Sequence, residues 1–339
     1  MLYPLIRPAL FALDAERSHD IALNLLAKPA VPCIMQAIYG RRVVASPVKL
    51  MGLTFANPVG LAAGLDKNAR ALDGLGAIGF GFVEVGTVTP KPQPGNEKPR
   101  MFRLPEANAI INRFGFNNEG VEALVERVRQ RQWRGTVGIN IGKNAATPAE
   151  EATEDYLIGL RAAYAVADYI TVNISSPNTK GLRDLQHGEQ LEQLFSALNA
   201  ERNSLAQAQA HRVPLLVKIA PDMDDNAMAD LCQAVKRHNI DGVIATNTTL
   251  NRDGVEQLPH GAESGGLSGA PLTTLAASKV APLRQELGAD IALIAAGGID
   301  SPVEAEKRLR DGADLLQLYS SLIYQGPGLV QQISRHLAK

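Results

Sequence analysis

Cysteine is scarce in this chain of 339 residues, and its scarcity excludes several kinds of site. Cys33 and Cys232 lie far apart, and neither has a cysteine or histidine neighbour at the spacing of a metal site. A disulfide framework, a zinc site and an iron–sulfur centre are therefore not expected, and no metal is predicted. The two thiols fit a reducing compartment.

An excess of charge of either sign is also missing. The 34 lysines and arginines nearly balance the 35 aspartates and glutamates, which leaves a formal net charge of -1 at pH 7. Nucleic-acid-binding proteins are usually clearly basic, so no nucleic-acid partner is expected. Nothing in the chain implies an obligatory protein partner. We expect the partner to be a small molecule.

Long apolar runs and the common nucleotide-binding motifs are absent as well. Arg7, Pro8 and Asp14 interrupt the N-terminal apolar residues before they reach the length of a signal peptide or a membrane span. We therefore expect the N-terminus to be retained. No Gly-x-Gly-x-x-Gly between a strand and a helix and no Walker loop is present, so neither a nicotinamide site nor an ATP site is indicated.

Residues 1–42 carry two short amphipathic helical patterns. Apolar residues recur at helical spacing from Leu2 to Leu13, Asp14 is a candidate N-cap, and a similar stripe continues to Leu26. The segment is slightly basic, which suits contact with a membrane surface. The alternative is that these helices only cap the domain that follows.

After a predicted hairpin at 48–55, short apolar strands alternate with helical patterns, as in repeated βα units. Eight units predict an α/β fold, a closed (β/α)8 TIM barrel spanning 43–339 with the helical segment 1–42 as an extension. A doubly wound open sheet is the alternative that spacing leaves open. The predicted strands are Val59–Ala63, Phe82–Val85, Thr136–Ile141, Tyr169–Ile174, Leu215–Ile219, Gly242–Ala245, Ile291–Ala296 and Leu315–Tyr319, with helices at about 70–76, 119–131, 150–166, 188–206, 224–238, 272–287 and 301–311.

Two helix starts carry capping signals. In Thr147-Pro-Ala-Glu150 and Ser301-Pro-Val-Glu304, a capping residue is followed by proline and then, three residues after the cap, by an acid. The wide gaps after the second and sixth predicted strands are expected to hold loops over the active site.

The active site of such a barrel lies at the C-terminal ends of the strands, where this chain repeatedly has glycine or small polar residues. A serine- and asparagine-rich turn after one strand would mean little by itself. Lys218, however, lies inside an apolar strand, where lysine is rare without a partner. It is predicted to stabilise an anion, such as a reduced flavin; the alternative is a side chain that extends to the rim.

Glycines near the last two strands predict a phosphate site. Gly297 and Gly298 precede the helix capped by Ser301, and Tyr319-Ser320 follows the last strand. This arrangement matches the phosphate site of TIM barrels, formed by the seventh and eighth loops. The phosphate-bearing ligand is either substrate or cofactor.

Several asparagines are predicted to converge on the same mouth. Asn112 opens a loop rich in amides and aromatic rings, and Asn173, Asn178 and Asn247 follow other strands. Amides both donate and accept hydrogen bonds, so the set suits a ring compound with several carbonyl and N–H groups.

Together these motifs resemble the dihydroorotate dehydrogenase family, in its membrane-associated, quinone-reducing class 2. The soluble class has cysteine at the position of Ser176 and lacks the N-terminal helices, so both features favour class 2. The resemblance covers nearly the whole chain. It rests on Gly60–Lys67, Glu84–Asn96, Asn112–Phe116, Asn173–Asn178, Ile244–Thr248 and Gly297–Ile299.

The resemblance implies oxidation of (S)-dihydroorotate to orotate in pyrimidine biosynthesis. FMN is the implied hydride acceptor, Ser176 the catalytic base that takes a proton from C5, and a membrane quinone (ubiquinone or menaquinone) the final acceptor. Implied FMN contacts are Ala63, Gly64, Leu65, Asp66, Lys67, Thr87, Asn140, Asn173, Lys218, Thr246, Gly269, Gly298, Tyr319 and Ser320. Implied substrate contacts are Lys67, Asn112, Arg113, Phe114, Gly115, Phe116, Asn173, Asn178, Asn247 and Thr248.

The resemblance also implies a peripheral protein on the cytoplasmic face of the cell inner membrane, with the N-terminal helices as the quinone entrance. On that view, a chain lacking residues 2 to about 40 should still bind FMN and react with dihydroorotate. Two other functions remain open from the residues alone. A flavin-free sugar-phosphate isomerase leaves the amides unexplained, and a membrane-surface binding protein leaves Lys218 and Ser176 unexplained.

Overall fold

The computed structural model describes residues 3–179 and 181–338. The described residues leave out Met1, Leu2, Lys180 and Lys339. The predicted N-terminal stripe begins at Leu2, and the two predicted domains begin and end at Met1 and Lys339, so these ends of the predictions lie outside the described residues. The strands in chain order are β1 Val48–Leu50, β2 Leu53–Phe55, β3 Val59–Leu61, β4 Phe82–Val88, β5 Met101–Leu104, β6 Ala109–Asn112, β7 Thr136–Ile141, β8 Tyr169–Asn173, β9 Leu215–Ile219, β10 Gly242–Ala245, β11 Gly266–Gly269, β12 Ala292–Ala296 and β13 Leu315–Leu318. The helices are α1 Tyr3–Phe11, α2 Ala15–Leu26, α3 Val31–Ile38, α4 Leu72–Gly76, α5 Val121–Arg129, α6 Ala152–Ala163, α7 Gly188–Gln209, α8 Asp225–Arg237, α9 Thr273–Leu287, α10 Pro302–Arg310, α11 Ser320–Gln325 and α12 Gly328–Leu337.

The predicted TIM barrel is confirmed. Its parallel strands pair in the closed order β10-β12-β13-β3-β4-β7-β8-β9. The pairing of β13 with β3, which sets Leu316 opposite Val59, joins the last strand to the first and excludes the open doubly wound sheet. Every predicted barrel strand is present, with ends that differ by at most three residues.

The predicted hairpin, β1 and β2, closes the N-terminal end of the barrel. Phe55 at the end of β2 packs edge-on against Phe82, the first residue of β4, with ring centroids 5.2 Å apart. Phe82 in turn packs against Tyr169 at the start of β8, at 6.3 Å. These fully buried rings fill the barrel end opposite the predicted active site.

The N-terminal segment has one more helix than predicted. Asp14 caps α2 as expected, since its Oδ1 accepts the backbone N–H of Arg17 at 2.9 Å. The added helix, α3, has a proline in its first turn. Among the described residues, no single helix is long and apolar enough to cross a membrane; α2 and the segment Val31–Arg42 meet the criteria of length and composition only as a pair bent by 94°.

The wide gaps contain a small sheet that was predicted as loops. Strands β11, β6 and β5 pair antiparallel in that order. Gly266 lies opposite Asn112, so the segment between the sixth and seventh barrel strands pairs with the one between the second and third. Four-residue strands, one of them Gly-Leu-Ser-Gly, have too little apolar alternation to be predicted from sequence.

Only one of the two capped helix starts is confirmed. Ser301 Oγ accepts the backbone N–H of Glu304 at 3.2 Å, as predicted. The prediction at Thr147 is wrong, because residues 149–151 form a 3₁₀ turn and α6 begins at Ala152 without a side-chain cap. The loop is held instead by Lys143 Nζ, which donates to the backbone carbonyl of Thr147 at 2.6 Å.

A fully buried carboxylate, that of Glu84, lies inside the barrel. Its Oε1 accepts from Asn140 Nδ2 at 2.8 Å. Its Oε2 accepts from the Tyr169 hydroxyl at 2.9 Å and from Gln317 Nε2 at 2.8 Å. Thr171 Oγ1 adds a longer contact to Oε2 at 3.2 Å. One carboxylate therefore links β4 to strands β7, β8 and β13.

Replacement Glu84→Ala should destabilise the fold strongly. It removes the acceptor of several buried donors, and we expect the free energy of unfolding to fall by about 3–5 kcal/mol, as when one member of a buried charged network is lost. Urea denaturation, followed by circular dichroism, measures this free energy of unfolding. Glu122→Ala, an exposed acid on α5, should change the value by less than about 0.5 kcal/mol. Equal losses in the two variants would contradict this role of Glu84.

Candidate active site

A cavity of about 320 Å³ lies at the C-terminal ends of the barrel strands. This volume is within the range of small-molecule sites, roughly 300–1,000 Å³. Its wall brings together most of the residues singled out from the sequence. They are Ala63, Gly64, Lys67, Thr87, Asn112, Phe114, Gly115, Phe116, Asn173, Ser176, Asn178, Lys218, Thr246, Asn247, Thr248, Gly269, Gly298, Tyr319 and Ser320.

Leu65 and Asp66 are not in this wall. The Leu65 side chain lines a second, smaller cavity. The Asp66 carboxylate is buried and accepts the backbone N–H groups of Asn68, Arg70 and Ala71 at 3.3, 2.9 and 2.7 Å. It stabilises the turn after β3 and does not contact the main cavity.

Asn140 and Arg113 also lie away from the cavity. Asn140 Oδ1 accepts from the Thr87 hydroxyl at 2.6 Å, so Asn140 supports a cavity residue from behind. Arg113 points outwards, where it pairs with Glu263 at 2.7 Å and lies 4.6 Å from the ring centroid of Phe102.

The loop after β8 fixes Ser176 in the cavity wall. Asn173 Oδ1 accepts from the backbone N–H and the hydroxyl of Ser175 at 3.2 and 3.0 Å. Asn247 Nδ2 donates to Ser175 Oγ at 2.9 Å and so joins this loop to the end of β10. Ser176 is 6% exposed, and its Oγ accepts the backbone N–H of Asn178 at 3.3 Å.

No histidine or carboxylate hydrogen-bonds Ser176 within residues 3–179 and 181–338. Thr179, three residues further along the chain, has a buried Oγ1 with no hydrogen-bond partner in the described part of the chain.

Arg183, which was not predicted, ties three active-site loops together. Its Nε donates to the carbonyl of Ser175 at 3.1 Å and its Nη2 to the carbonyl of Thr248 at 3.0 Å. Its Nη1 pairs with Asp222 at 2.8 Å. The sequence signal was weak, because the arginine lies in a polar loop with no periodicity.

Two buried polar residues, Lys218 on β9 and Gln317 on β13, line the cavity. Burial lowers the pKa of Lys218, while the charge of Glu84 acts in the opposite direction. Gln317, also in the wall, uses its Nε2 on Glu84, and its Oε1 has no partner among the described residues. Gln317 was missed, although a polar residue inside an apolar strand is the same signal that identified Lys218.

Gly297 and Gly298 form a backbone cradle at the end of β12. Both have positive φ, 97° and 69°. A Cβ on Gly298 would lie 2.3 Å from Thr273 Cα, so no other residue fits there without displacing backbone. Thr273 Oγ1 donates to the Gly298 carbonyl at 2.9 Å and fixes the cradle to α9. The two glycines therefore let the end of β12 pack closely on α9, and positive-φ backbone of this kind can present N–H groups to a phosphate.

Lys67 lies against an aromatic ring at another side of the cavity. Its Nζ is 3.8 Å from the ring centroid of Phe114. Burial lowers the pKa of Lys67 to about 8; the charge of Glu16 opposes this shift and that of Arg100 adds to it. The ammonium form is therefore in the majority only below about pH 8.

The second cavity, of about 140 Å³, lies between α1, α2 and the barrel. Its wall is mainly apolar, with Tyr3, Ser18, His19 and Arg103 as the members that carry polar groups. Burial, followed by the charge of Lys67, lowers the pKa of His19 to about 3, so the imidazole is neutral near pH 7. Arg103 donates to backbone carbonyls at the C-terminal end of α1, Leu10 at 3.1 Å and Phe11 at 3.3 Å.

The family model described as dihydroorotate dehydrogenase matches residues 46–339. The chain belongs to the dihydroorotate dehydrogenase family. A curated relative named dihydroorotate dehydrogenase (quinone) from Alkalilimnicola ehrlichii is 55% identical over 337 residues, 99% of each chain. Another, from Bordetella pertussis, is 54% identical over 340 residues, 99% of this chain and 97% of the relative.

Solved structures agree with this assignment. The ligand-free dihydroorotate dehydrogenase of Eimeria tenella is 40% identical, with a TM-score of 0.86 over 96% of this chain and 94% of that one. Its complex with ferulenol gives the same TM-score at 37% identity, over 95% and 90% of the two chains. Membership of the dihydroorotate dehydrogenase family implies a flavin-dependent enzyme, and the resemblance seen in the sequence is confirmed.

The main cavity suits a phosphorylated flavin. Lys218 and Gln317 in the wall offer an amine and an amide to a polar ring system, and the positive-φ backbone at Gly297 and Gly298 suits a phosphate. These groups lie in one continuous cavity wall, so a single ligand can reach all of them.

Replacement Gly298→Ala should reduce flavin binding. The added Cβ displaces the cradle, and we expect flavin affinity to fall at least about ten-fold, or about 1.4 kcal/mol. Flavin released by heat, measured per mole of protein, reports this. Gly188→Ala is the matched control, because Gly188 has φ of 58° but open space around its Cβ. It should cost about 1–2 kcal/mol of stability and retain its flavin; flavin loss in both variants would implicate backbone strain in place of the cradle.

Proposed function

We propose that this chain oxidises (S)-dihydroorotate to orotate, a step of pyrimidine biosynthesis, with FMN as hydride acceptor and a membrane quinone as final electron acceptor. The observation that carries the proposal is the convergence of Ser176, Lys218 and the asparagine amides on one cavity. The chain's 55% identity to a dihydroorotate dehydrogenase (quinone) along nearly its whole length supports the same reaction.

FMN is proposed to occupy the barrel mouth. When bound, it supplies a ring that accepts a hydride and passes the electrons on. Gly298 and Ser320 would hold its phosphate, and Lys218 would place a positive charge beside the ring. Thr87, fixed by Asn140 and by Asn173 Nδ2 at 2.9 Å, would hydrogen-bond it.

Dihydroorotate is proposed to bind in the amide-rich part of the cavity. Asn112, Asn173, Asn178 and Asn247 would pair with its carbonyl and N–H groups, because primary amides donate and accept. Asn178 is already oriented, since its Nδ2 donates to the Asn112 carbonyl at 3.1 Å. Lys67 would neutralise the carboxylate of the substrate.

Ser176 is proposed to remove the C5 proton of dihydroorotate. Its buried position excludes bulk water, and the loop contacts at Asn173 and Asn247 keep the hydroxyl in place. As Ser176 takes the C5 proton it gives up its own hydroxyl proton. The buried Thr179 hydroxyl, which has no partner among the described residues, is proposed to accept that proton while it passes its own on towards solvent.

Variant Ser176→Ala should still bind FMN and orotate but react slowly with dihydroorotate. Loss of a positioned base typically costs a factor of at least about 100. Anaerobic stopped-flow bleaching of the flavin measures this rate, and orotate titration of the same sample verifies that the site is intact. Bleaching at the rate of the unaltered enzyme would assign the base to another residue.

We further propose that the second cavity admits the quinone from a membrane surface. The cavity is mainly apolar, His19 in its wall is neutral near pH 7, and α1 and α2 expose apolar side chains beside it. Leu5 is 78% and Leu25 53% exposed, which is a high value for leucine in a folded chain. Contact with the cytoplasmic face of the cell inner membrane would cover these side chains.

Variant Ala22→Trp should separate the two electron acceptors. Ala22 lines the second cavity, so the larger ring should obstruct a long-tailed quinone and lower its turnover at least about ten-fold. Flavin bleaching by dihydroorotate and reduction of a small water-soluble dye should change little. The matched control is Ala27→Trp, an exposed position just after α2. Equal loss with quinone and dye would argue against a quinone route through this cavity.

A further inference from the structure

A buried ion pair joins the N-terminal helices to the main cavity. Glu16 on α2 is 8% exposed and Arg100, just before β5, is 6% exposed. Arg100 Nη2 lies 2.8 Å from Glu16 Oε1, and Arg100 Nε lies 3.1 Å from Oε2. Two parallel contacts of this kind fix both side chains. Lys98 adds a third, more exposed contact to Glu16 at 3.2 Å.

Arg100 in turn braces the loop that carries Phe114. Its Nη1 donates to the carbonyls of Pro94 and Asn96 at 2.6 and 2.8 Å. The backbone N–H of Asn96 donates to the Phe114 carbonyl at 3.0 Å. The Arg100 guanidinium is also 5.7 Å from the Phe114 ring centroid, while Lys67 lies 3.8 Å from the same centroid. Two cations therefore share one aromatic ring.

The charges around Lys67 come from three parts of the chain. Its own loop contributes Asp66, the segment before β5 contributes Arg100, and α2 contributes Glu16 and Asp20. His19, also on α2, is neutral near pH 7. Glu16 is the largest of the favourable charges on Lys67, and Asp20 the smallest.

We propose that Glu16 is a positioning residue of the dihydroorotate site, because its carboxylate supplies the counter-charge for both Lys67 and Arg100. This inference rests on the proposed function. It changes the expectation that a chain without residues 2 to about 40 reacts normally with dihydroorotate. Such a chain loses Glu16 and leaves Arg100 without its counter-ion. Helix α2 then serves substrate oxidation as well as the quinone.

The protonation of Lys67 determines in which direction loss of the Glu16 charge changes the pH dependence of orotate binding. Burial lowers the pKa of Lys67 to about 8, so its affinity for an anion is full below that pH and is lost as the pH rises through it. Removing the Glu16 charge lowers the pKa further. A nearby opposite charge typically changes a pKa by about 1–3 units, and we expect a change of about one unit.

The test is orotate binding to the full-length, FMN-containing protein between about pH 6 and pH 9.5, followed by the flavin spectrum. In Glu16→Gln, the pH midpoint of orotate affinity should fall by about one unit, with about ten-fold weaker binding above pH 8 and little change at pH 6. Asp20→Asn, an exposed acid on the same helix, should shift the midpoint less.

The double variant Glu16→Gln/Arg100→Gln separates electrostatic from purely structural roles. It removes one negative and one positive charge, which act on Lys67 in opposite directions, so the midpoint should return towards that of the unaltered protein. If Glu16→Gln does not fold, Arg100→Gln carries the test, because loss of that cation should raise the midpoint.

An unchanged midpoint in Glu16→Gln, or a double variant impaired further than the single one, would overturn the role of Glu16. So would a fall or no change of the midpoint in Arg100→Gln. Failure of the proposed function has a different signature: the unaltered protein would not bind orotate and would not be bleached by dihydroorotate at any pH.

Discussion

The buried carboxylate of Glu84 is the constraint on which the active site depends. An ionised carboxylate inside a barrel is costly unless its oxygens are hydrogen-bonded, and here neighbouring strands supply the donors. The same requirement orients the cavity residues. Asn140, held by Glu84, in turn fixes Thr87, and Gln317 in the cavity wall is held through its Nε2. The negative charge of Glu84 also favours the protonated form of Lys218.

The two cavities differ in polarity, and the turn after β3 contributes to both. On one side Lys67 lines the amide-rich main cavity, and on the other Leu65 lines the apolar cavity beneath α1 and α2. This arrangement suits a protein that binds a polar anionic substrate in one cavity and an apolar electron acceptor in the other. Helix α2 contributes to both cavities, through neutral His19 in the apolar wall and through Glu16, whose charge favours the protonated form of Lys67.

The barrel was predictable because its signals are local. Each strand is a short apolar run buried on both faces, each helix has its own periodicity, and the order of elements leaves few topologies. Lys218 was identifiable for the same reason, since a charge within an apolar strand stands out. The β5–β6–β11 sheet was not predictable, because its strands have little apolar pattern of their own and β11 pairs with β6 from about 150 residues further along the chain.

The sequence by itself determined the fold class, the family and the strand ends that meet in the main cavity, because these depend on periodicity and on motifs of contiguous residues. Only the tertiary structure decided what individual side chains do. Arg113 lies in a family motif, yet its side chain turns outwards and pairs with Glu263. The Asp66 carboxylate accepts hydrogen bonds from backbone N–H groups of its own turn. Glu16 meets Arg100 across 84 positions of the chain. Such pairings are set by the free energy of satisfying buried charges and donors, which depends on neighbours that only the folded chain brings together.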